Sequence, residues 1–207
     1  MQKIYTVMLA AGISSRLGYN KLTVKIEGKS VIARALKPFC IEGVEKIFVV
    51  VNPQSIDVRR EVEKDPELRQ FPFTFIENPY YEKGMSTSIK VALPFISDAD
   101  AAFFHLGDKP FIRRKLIVDM IDMYLKGDAK IIVPVYENKK GHPVIMKINP
   151  FIEEVRILTG DKGLREIIDK HMEDVVFIKS DKGSIFDIDT EKSITILNRK
   201  GYRIEKN

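Results

Sequence analysis

Ile4-Tyr5-Thr6-Val7-Met8-Leu9 runs straight into Ala10-Ala11-Gly12-Ile13-Ser14-Ser15-Arg16-Leu17-Gly18-Tyr19-Asn20-Lys21. The first six residues form a short apolar run, the pattern of a strand buried on both faces of a parallel sheet. The loop that follows is rich in small residues, so its backbone can approach a ligand closely. Free N–H groups in such a loop, with a helix start behind it, favour phosphate. Arg16 and Lys21 bring two cations to the same place. The apolar run is too short, and ends too soon in a glycine loop with basic residues, to be a targeting segment. Two better-known phosphate loops do not fit. Gly12 and Gly18 have no glycine between them at the dinucleotide spacing, and Thr23 stands where a Walker loop ending in Gly28-Lys29-Ser30 needs its first glycine.

Outward from this junction, apolar runs alternate with helix-like stretches. Lys46–Val51, Phe73–Glu77, Asp100–Leu106 and Lys130–Val135 read as further strands, and Gly141–Met146 as a returning hairpin arm after a polar tip at 136–140. Ser30 can cap a helix through Phe39. Other helices are predicted at 55–64, 86–95, 113–126, 150–158 and 163–171, with a last one starting near Thr190. Val175–Lys179 and Ser184–Ile188 complete the strands. On a strand, Asp187 and Asp189 face the same side and can reach one metal. The alternation predicts an α/β fold of three layers, a Rossmann-like, mostly parallel mixed sheet with helices on both faces. The 207 residues, without an internal repeat or a Ser- or Pro-rich linker, read as a single domain over 1–207.

Composition narrows the function. Hydrophobic residues make up 44% and charged residues 30%, which excludes a disordered chain. Lys and Arg number 34 against 29 Asp and Glu, a formal +5. That mild surplus allows an anionic ligand, and without aromatic-basic interleaving it gives no support for nucleic acid. Cys40 stands alone, so no disulfide framework or Cys-based zinc site exists, and a reducing, cytoplasmic setting fits. No apolar run is long enough for a membrane span. Cys40 reads as a small buried hydrophobe and His105 as a satisfied core histidine.

An ordered set of short motifs then sharpens the reading. Leu9 to Lys21 resembles the signature loop of nucleotidyltransferases that join a nucleoside triphosphate to a phosphorylated acceptor, and the chain looks most like the molybdenum cofactor cytidylyltransferases. Glu82-Lys83-Gly84-Met85-Ser86-Thr87-Ser88-Ile89 resembles that family's Gly-Met-Ser-x-Ser segment. Leu106-Gly107-Asp108-Lys109-Pro110 resembles its Leu-Gly-Asp-Gln-Pro, and Lys140-Gly141-His142-Pro143-Val144 its Arg-Gly-His-Pro. Leu158 to Arg165 resembles its Gly-Asp-x-Gly-Ala-Arg, and Asp187-Ile188-Asp189-Thr190 its Asp-Ile-Asp-Thr-Pro. Lys109 replaces Gln, Lys140 replaces Arg, Leu164 replaces Ala, and Glu191 stands at the usual Pro.

The resemblance implies a nucleotide-diphospho-sugar transferase type of fold and a role for each motif. Leu9, Ala10, Ala11 and Gly12 would hold the nucleotide, with Arg16 and Lys21 neutralising its triphosphate. Gly84, Met85, Ser86 and Ser88 offer backbone and hydroxyl groups suited to a nucleobase, while Ser86 can also simply cap its helix. Asp108, at the end of a buried strand, and Asp189, with Asp187 nearby, would bind Mg²⁺, which needs one or two carboxylates beside phosphate oxygens and water. Catalysis would rest on Arg16, Lys21 and Asp108. Gly141 and His142 would face the acceptor, or shape a turn. Gly160 and Asp161 contact the acceptor or cap the helix after them.

The reaction so implied transfers CMP from CTP to the phosphate of a molybdopterin-type acceptor and releases pyrophosphate. The product would then pass to a molybdoenzyme or a cofactor insertion protein. GTP, or a sugar or alditol phosphate, are alternatives within the same chemistry. A non-catalytic delivery or chaperone protein for the molybdenum cofactor is the alternative outside it.

Overall fold

The chain crosses and recrosses one sheet, as a computed structural model describing residues 2–13 and 17–206 shows. The strands are β1 (Ile4–Leu9), β2 (Lys25–Ile26), β3 (Lys29–Ser30), β4 (Lys46–Val51), β5 (Phe73–Glu77), β6 (Ala101–Leu106), β7 (Ile131–Tyr136), β8 (Lys139–Lys140), β9 (Val144–Lys147), β10 (Val175–Lys179) and β11 (Ile204–Glu205). The helices are α1 (Val31–Leu36), α2 (Ile56–Lys64), α3 (Met85–Ile96), α4 (Arg114–Lys126), α5 (Ile152–Ile157), α6 (Arg165–Lys170) and α7 (Glu191–Arg199). The main sheet has the order β10-β7-β9-β6-β1-β4-β5, with β8 paired to β7. β1, β4, β5 and β6 are parallel, and β9 runs antiparallel between β6 and β7.

The alternation of side chains along β1 builds two cores. Ile4 and Met8 point to one face, which α1, α2, α4 and α7 cover with Ile32, Val58, Ile117 and Leu197. Tyr5 and Val7 point to the other, which α3, α5 and α6 cover with Ile89, Val155 and Ile167. Burial on both faces is why the strands read as unbroken apolar runs. Ser30 caps α1 as expected, its side chain accepting from the Ala33 N–H. Cys40 is buried, and its thiol is pushed up to about 12 chiefly by burial. Among the described residues, no helix is long and apolar enough to cross a membrane.

Two features differ from the sequence reading. A three-stranded sheet, β11-β2-β3, was not foreseen; strands of two residues are too short for any periodic pattern. The expected strand at Ser184–Ile188 is absent. A single 3₁₀ turn at Lys182–Ser184 precedes extended chain without strand pairing. The Asp181 carboxylate accepts from Gly183 N–H at 2.8 Å and turns the chain there. Gly183 is tucked under Phe111, where an added Cβ would lie 2.1 Å from the Phe111 carbonyl oxygen. The chain is thereby led across the carboxyl end of the sheet, and Ile188 N–H donates to the Asp108 carbonyl at 2.9 Å. We expect Gly183→Ala to destabilise the fold by about 2 kcal/mol, an overpacking cost. Urea unfolding checks this, and an unchanged midpoint contradicts the tight approach.

Candidate active site

β1 lies between β4 and β6. From β1 the chain first winds outward through β4 and β5, then returns to β6 on the other side. This reversal opens a crevice at the carboxyl ends of β1 and β6, the place where open α/β sheets bind ligands. The loop after β1 and the Gly107–Pro110 turn after β6 both border it.

Backbone bonds fix the two loops. Ala10 N–H donates to the Val50 carbonyl at 2.8 Å and Gly107 N–H to the Leu9 carbonyl at 2.9 Å. The Asn52 amide donates to the Ala11 carbonyl at 3.3 Å. Gly12 and Ile13 are exposed above a shallow depression of about 350 Å³. Arg16 lies outside the described residues, as do Ser14 and Ser15.

Lys21, Asp108 and Asp189 meet. The Lys21 ammonium donates to Asp108 Oδ2 at 2.6 Å and to Asp189 Oδ1 at 2.9 Å. The Lys21 side chain is only 11% exposed. Burial by itself pulls its pKa down, but the Asp108 and Asp189 carboxylates outweigh burial and hold it above the ordinary lysine value. A second contact runs parallel to the first. Tyr19 donates to Glu191 Oε1 at 2.8 Å, two residues before Lys21 and two after Asp189. Glu191, which stands at the family's usual Pro, thus helps to place the Asp189 segment against the front loop.

These residues can hold a divalent cation. Among the described residues, Asp108 Oδ1 is buried and lacks a hydrogen-bond partner while Oδ2 meets Lys21. Asp189 is 35% exposed and reachable from the crevice. A donor set of carboxylate oxygens suits a hard cation such as Mg²⁺ or Mn²⁺ rather than zinc. Asp187 is a correction to the sequence reading. The strand expected at 184–188 is not formed, and Asp187 pairs with Lys109, Nζ to Oδ2 at 3.4 Å, while Asp189 pairs with Lys21.

The Gly84 and Gly160 motifs bind each other. Met85 N–H donates to Asp161 Oδ1 at 3.1 Å and Ser86 N–H to the Gly160 carbonyl at 3.0 Å. Asp161 therefore caps α3, not the helix that follows it. Gly84 is the N-cap of α3 with φ +102°, and a Cβ there would lie 2.6 Å from the Gly160 backbone. The Ser86 and Ser88 side chains are buried. Asn78, fully buried and not anticipated from sequence, donates to Thr87 Oγ1 and Ser88 Oγ, each at 2.9 Å.

A cavity of about 880 Å³ adjoins the crevice, with Leu9, Phe104, Lys109, Gly141, His142 and Arg165 in its wall. His142 N–H donates to the Ser184 carbonyl at 2.9 Å, and the His142–Pro143 peptide is cis. Burial, then the nearby Lys109 charge, lowers the His142 pKa to about 4, so the ring is neutral at pH 7. Behind it, His105 is fully buried and also neutral, its pKa lowered by burial and then by His142. With the Lys109 carbonyl as acceptor at 3.2 Å, its Nε2 carries the proton. His105 thus steadies the Asp108–Lys109 turn, though its Nδ1 has no partner among the described residues, so the expected satisfied histidine is only half satisfied.

Known proteins share this arrangement of elements. The molybdenum cofactor cytidylyltransferase of Escherichia coli (strain K12) is 26% identical over 148 residues, 70% of this chain and 71% of that protein. A 2-C-methyl-D-erythritol 4-phosphate cytidylyltransferase of Clostridium perfringens is 32% identical over 126 residues, 58% of this chain and 53% of that protein, so the match spans about half of that relative. The crystal structure of Rv0371c from Mycobacterium tuberculosis H37Rv has the same fold, with a TM-score of 0.79 at 24% identity over 96% of this chain and 99% of that one. A structure of Rv0371c in complex with manganese gives 0.75 at 22% identity, over 95% and 98%. The sequence pattern of the MobA-like NTP transferase domain matches residues 6–175, so this chain belongs to that family and is a nucleotidyltransferase.

Proposed function

We propose that the chain transfers a cytidylyl group from CTP to the phosphate of a molybdopterin-type acceptor. The acceptor phosphate oxygen bonds to the α-phosphorus, the bond from the α-phosphorus to the bridging oxygen breaks, and pyrophosphate leaves. One observation carries the reading: Lys21, Asp108 and Asp189 converge at the sheet's reversal point, beside a large cavity. Charge spreads over the phosphoryl oxygens during such a transfer, so catalysis is positioning and electrostatic stabilisation. Asp108 and Asp189 would hold Mg²⁺, which would supply positive charge against the phosphoryl oxygens. Lys21, which lies between the carboxylates, would meet the α-phosphate, and Arg16 would add a second cation on the triphosphate. The whole reading takes the chain as one domain working in the cytoplasm and serving a molybdoenzyme.

Support for the acceptor comes from the cavity. Its apolar wall, with Phe104, Leu106, Ile89 and Leu164, gives a flat ring system contact area that a small polyol phosphate does not need. The relatives support CTP, since both are cytidylyltransferases by name. The Clostridium perfringens relative favours a second reading, in which an alditol phosphate is the acceptor. A panel of CTP, GTP, ATP and UTP, each with Mg²⁺, separates the nucleotides by thermal shift. Pyrophosphate release with molybdopterin or with 2-C-methyl-D-erythritol 4-phosphate separates the acceptors. We expect CTP to give the largest shift and only the pterin to release pyrophosphate. A shift with GTP alone overturns the cytidylyl assignment.

A further inference from the structure

Lys109 is a buried cation whose anionic partner among the described residues, Asp187, stands at a long 3.4 Å. Its side chain is 7% exposed. Its ammonium donates to the Ile185 carbonyl and to Asp187 Oδ2, each at 3.4 Å. A well-formed bond between such charged groups is nearer ~2.8 Å. Asp187 is itself 52% exposed, so water screens the pair. Burying an ammonium is unfavourable unless an anion meets it well. Lys109 lines the large cavity beside His142, a neutral ring whose Nδ1 has no partner among the described residues. Where the resembling family has Gln, this chain sets a charge in the cavity wall.

Position decides which anion it awaits. Asp108 turns toward Lys21 and the nucleotide half of the crevice. Lys109, its neighbour at ~3.8 Å between Cα atoms, turns into the cavity. An anion on Lys109 therefore lies at the boundary of the two halves, where the attacking group must stand. We propose that Lys109 receives the attacking phosphate of the acceptor, and that Asp187 holds Lys109 until that phosphate displaces it. This rests on the transfer reaction proposed above. It makes Lys109 a specificity-determining residue for phosphate monoesters.

Methyl phosphate is the probe, followed by broadening of its ³¹P resonance, with CTP and Mg²⁺ thermal shift measured on the same proteins. Wild type should bind methyl phosphate. Lys109→Gln should bind it at least tenfold more weakly, with an unchanged CTP shift and a melting temperature no lower than wild type's. Asp187→Asn should bind it severalfold more tightly, because it frees the ammonium. Equal methyl phosphate binding by wild type and Lys109→Gln, or no binding by wild type, overturns the assignment. So does a fall in melting temperature in Lys109→Gln, which would make Lys109 a structural residue. Failure of the transferase reading would show separately, as a missing CTP shift in every protein.

Discussion

Asp108→Asn is expected to lower nucleotidyl transfer about a thousandfold while the protein stays folded. The argument is the unequal environment of the two carboxylate oxygens. Oδ2 is committed to Lys21 at 2.6 Å, and Oδ1 is buried with no partner among the described residues. A buried carboxylate oxygen left unpaired is costly, and a cation bound there would remove that cost. Asparagine keeps the shape but loses the charge, and a neutral amide is a poor ligand for a hard divalent ion. Loss of several kcal/mol of transition-state stabilisation corresponds to about three orders of magnitude in rate. Pyrophosphate release at saturating nucleotide, with circular dichroism as the folding control, reads the effect. Activity within tenfold of wild type would remove Asp108 from the metal site.

Lys21→Met carries the second large effect, a loss of about a hundredfold or more in kcat/KM for the nucleotide, by removal of a cation from the developing charge. Methionine fills a similar volume, so packing is largely kept. The variant also leaves Asp108 and Asp189 facing each other without the ammonium that bridges them. Their repulsion should lower stability in chelator, and Mg²⁺ should raise the melting temperature of Lys21→Met more than that of wild type. A variant with wild-type kinetics and no extra response to Mg²⁺ would sever the link between Lys21 and the two carboxylates. The raised pKa gives a matching pH signature. The Lys21 contribution to stability is complete below the unfolded lysine value, near 10.5, and is lost as pH rises through the folded value.

Much of this site was legible because it sits at strand ends. β1 and β6 are buried on both faces, so their apolar runs stand out, and Lys21 and Asp108 follow from the loops after them. Asp189 was placed by motif order, and the chain delivers it by a route the sequence conceals. Ile185, Phe186 and Ile188 have the composition of a strand, yet the Gly183 tuck beneath Phe111 diverts them into an unpaired segment. Along that segment Asp187 meets Lys109 and Asp189 meets Lys21. The clasp between Gly84–Ser86 and Gly160–Asp161 joins residues 76 apart in sequence, and no local pattern announces such a pairing. For the same reason the two serines read as ligand groups, although their side chains are buried. Lys109 was visible only as a departure from a family pattern; its burial against the cavity is a tertiary fact.

The most direct measurement is transfer of label from α-³²P CTP. The intact protein is incubated with Mg²⁺ and molybdopterin, and the products are separated. The account predicts that label moves into a cytidylyl–pterin adduct in step with unlabelled pyrophosphate, and that Asp108→Asn slows both about a thousandfold. Label that stays in CTP while the protein is folded and binds nucleotide would contradict it.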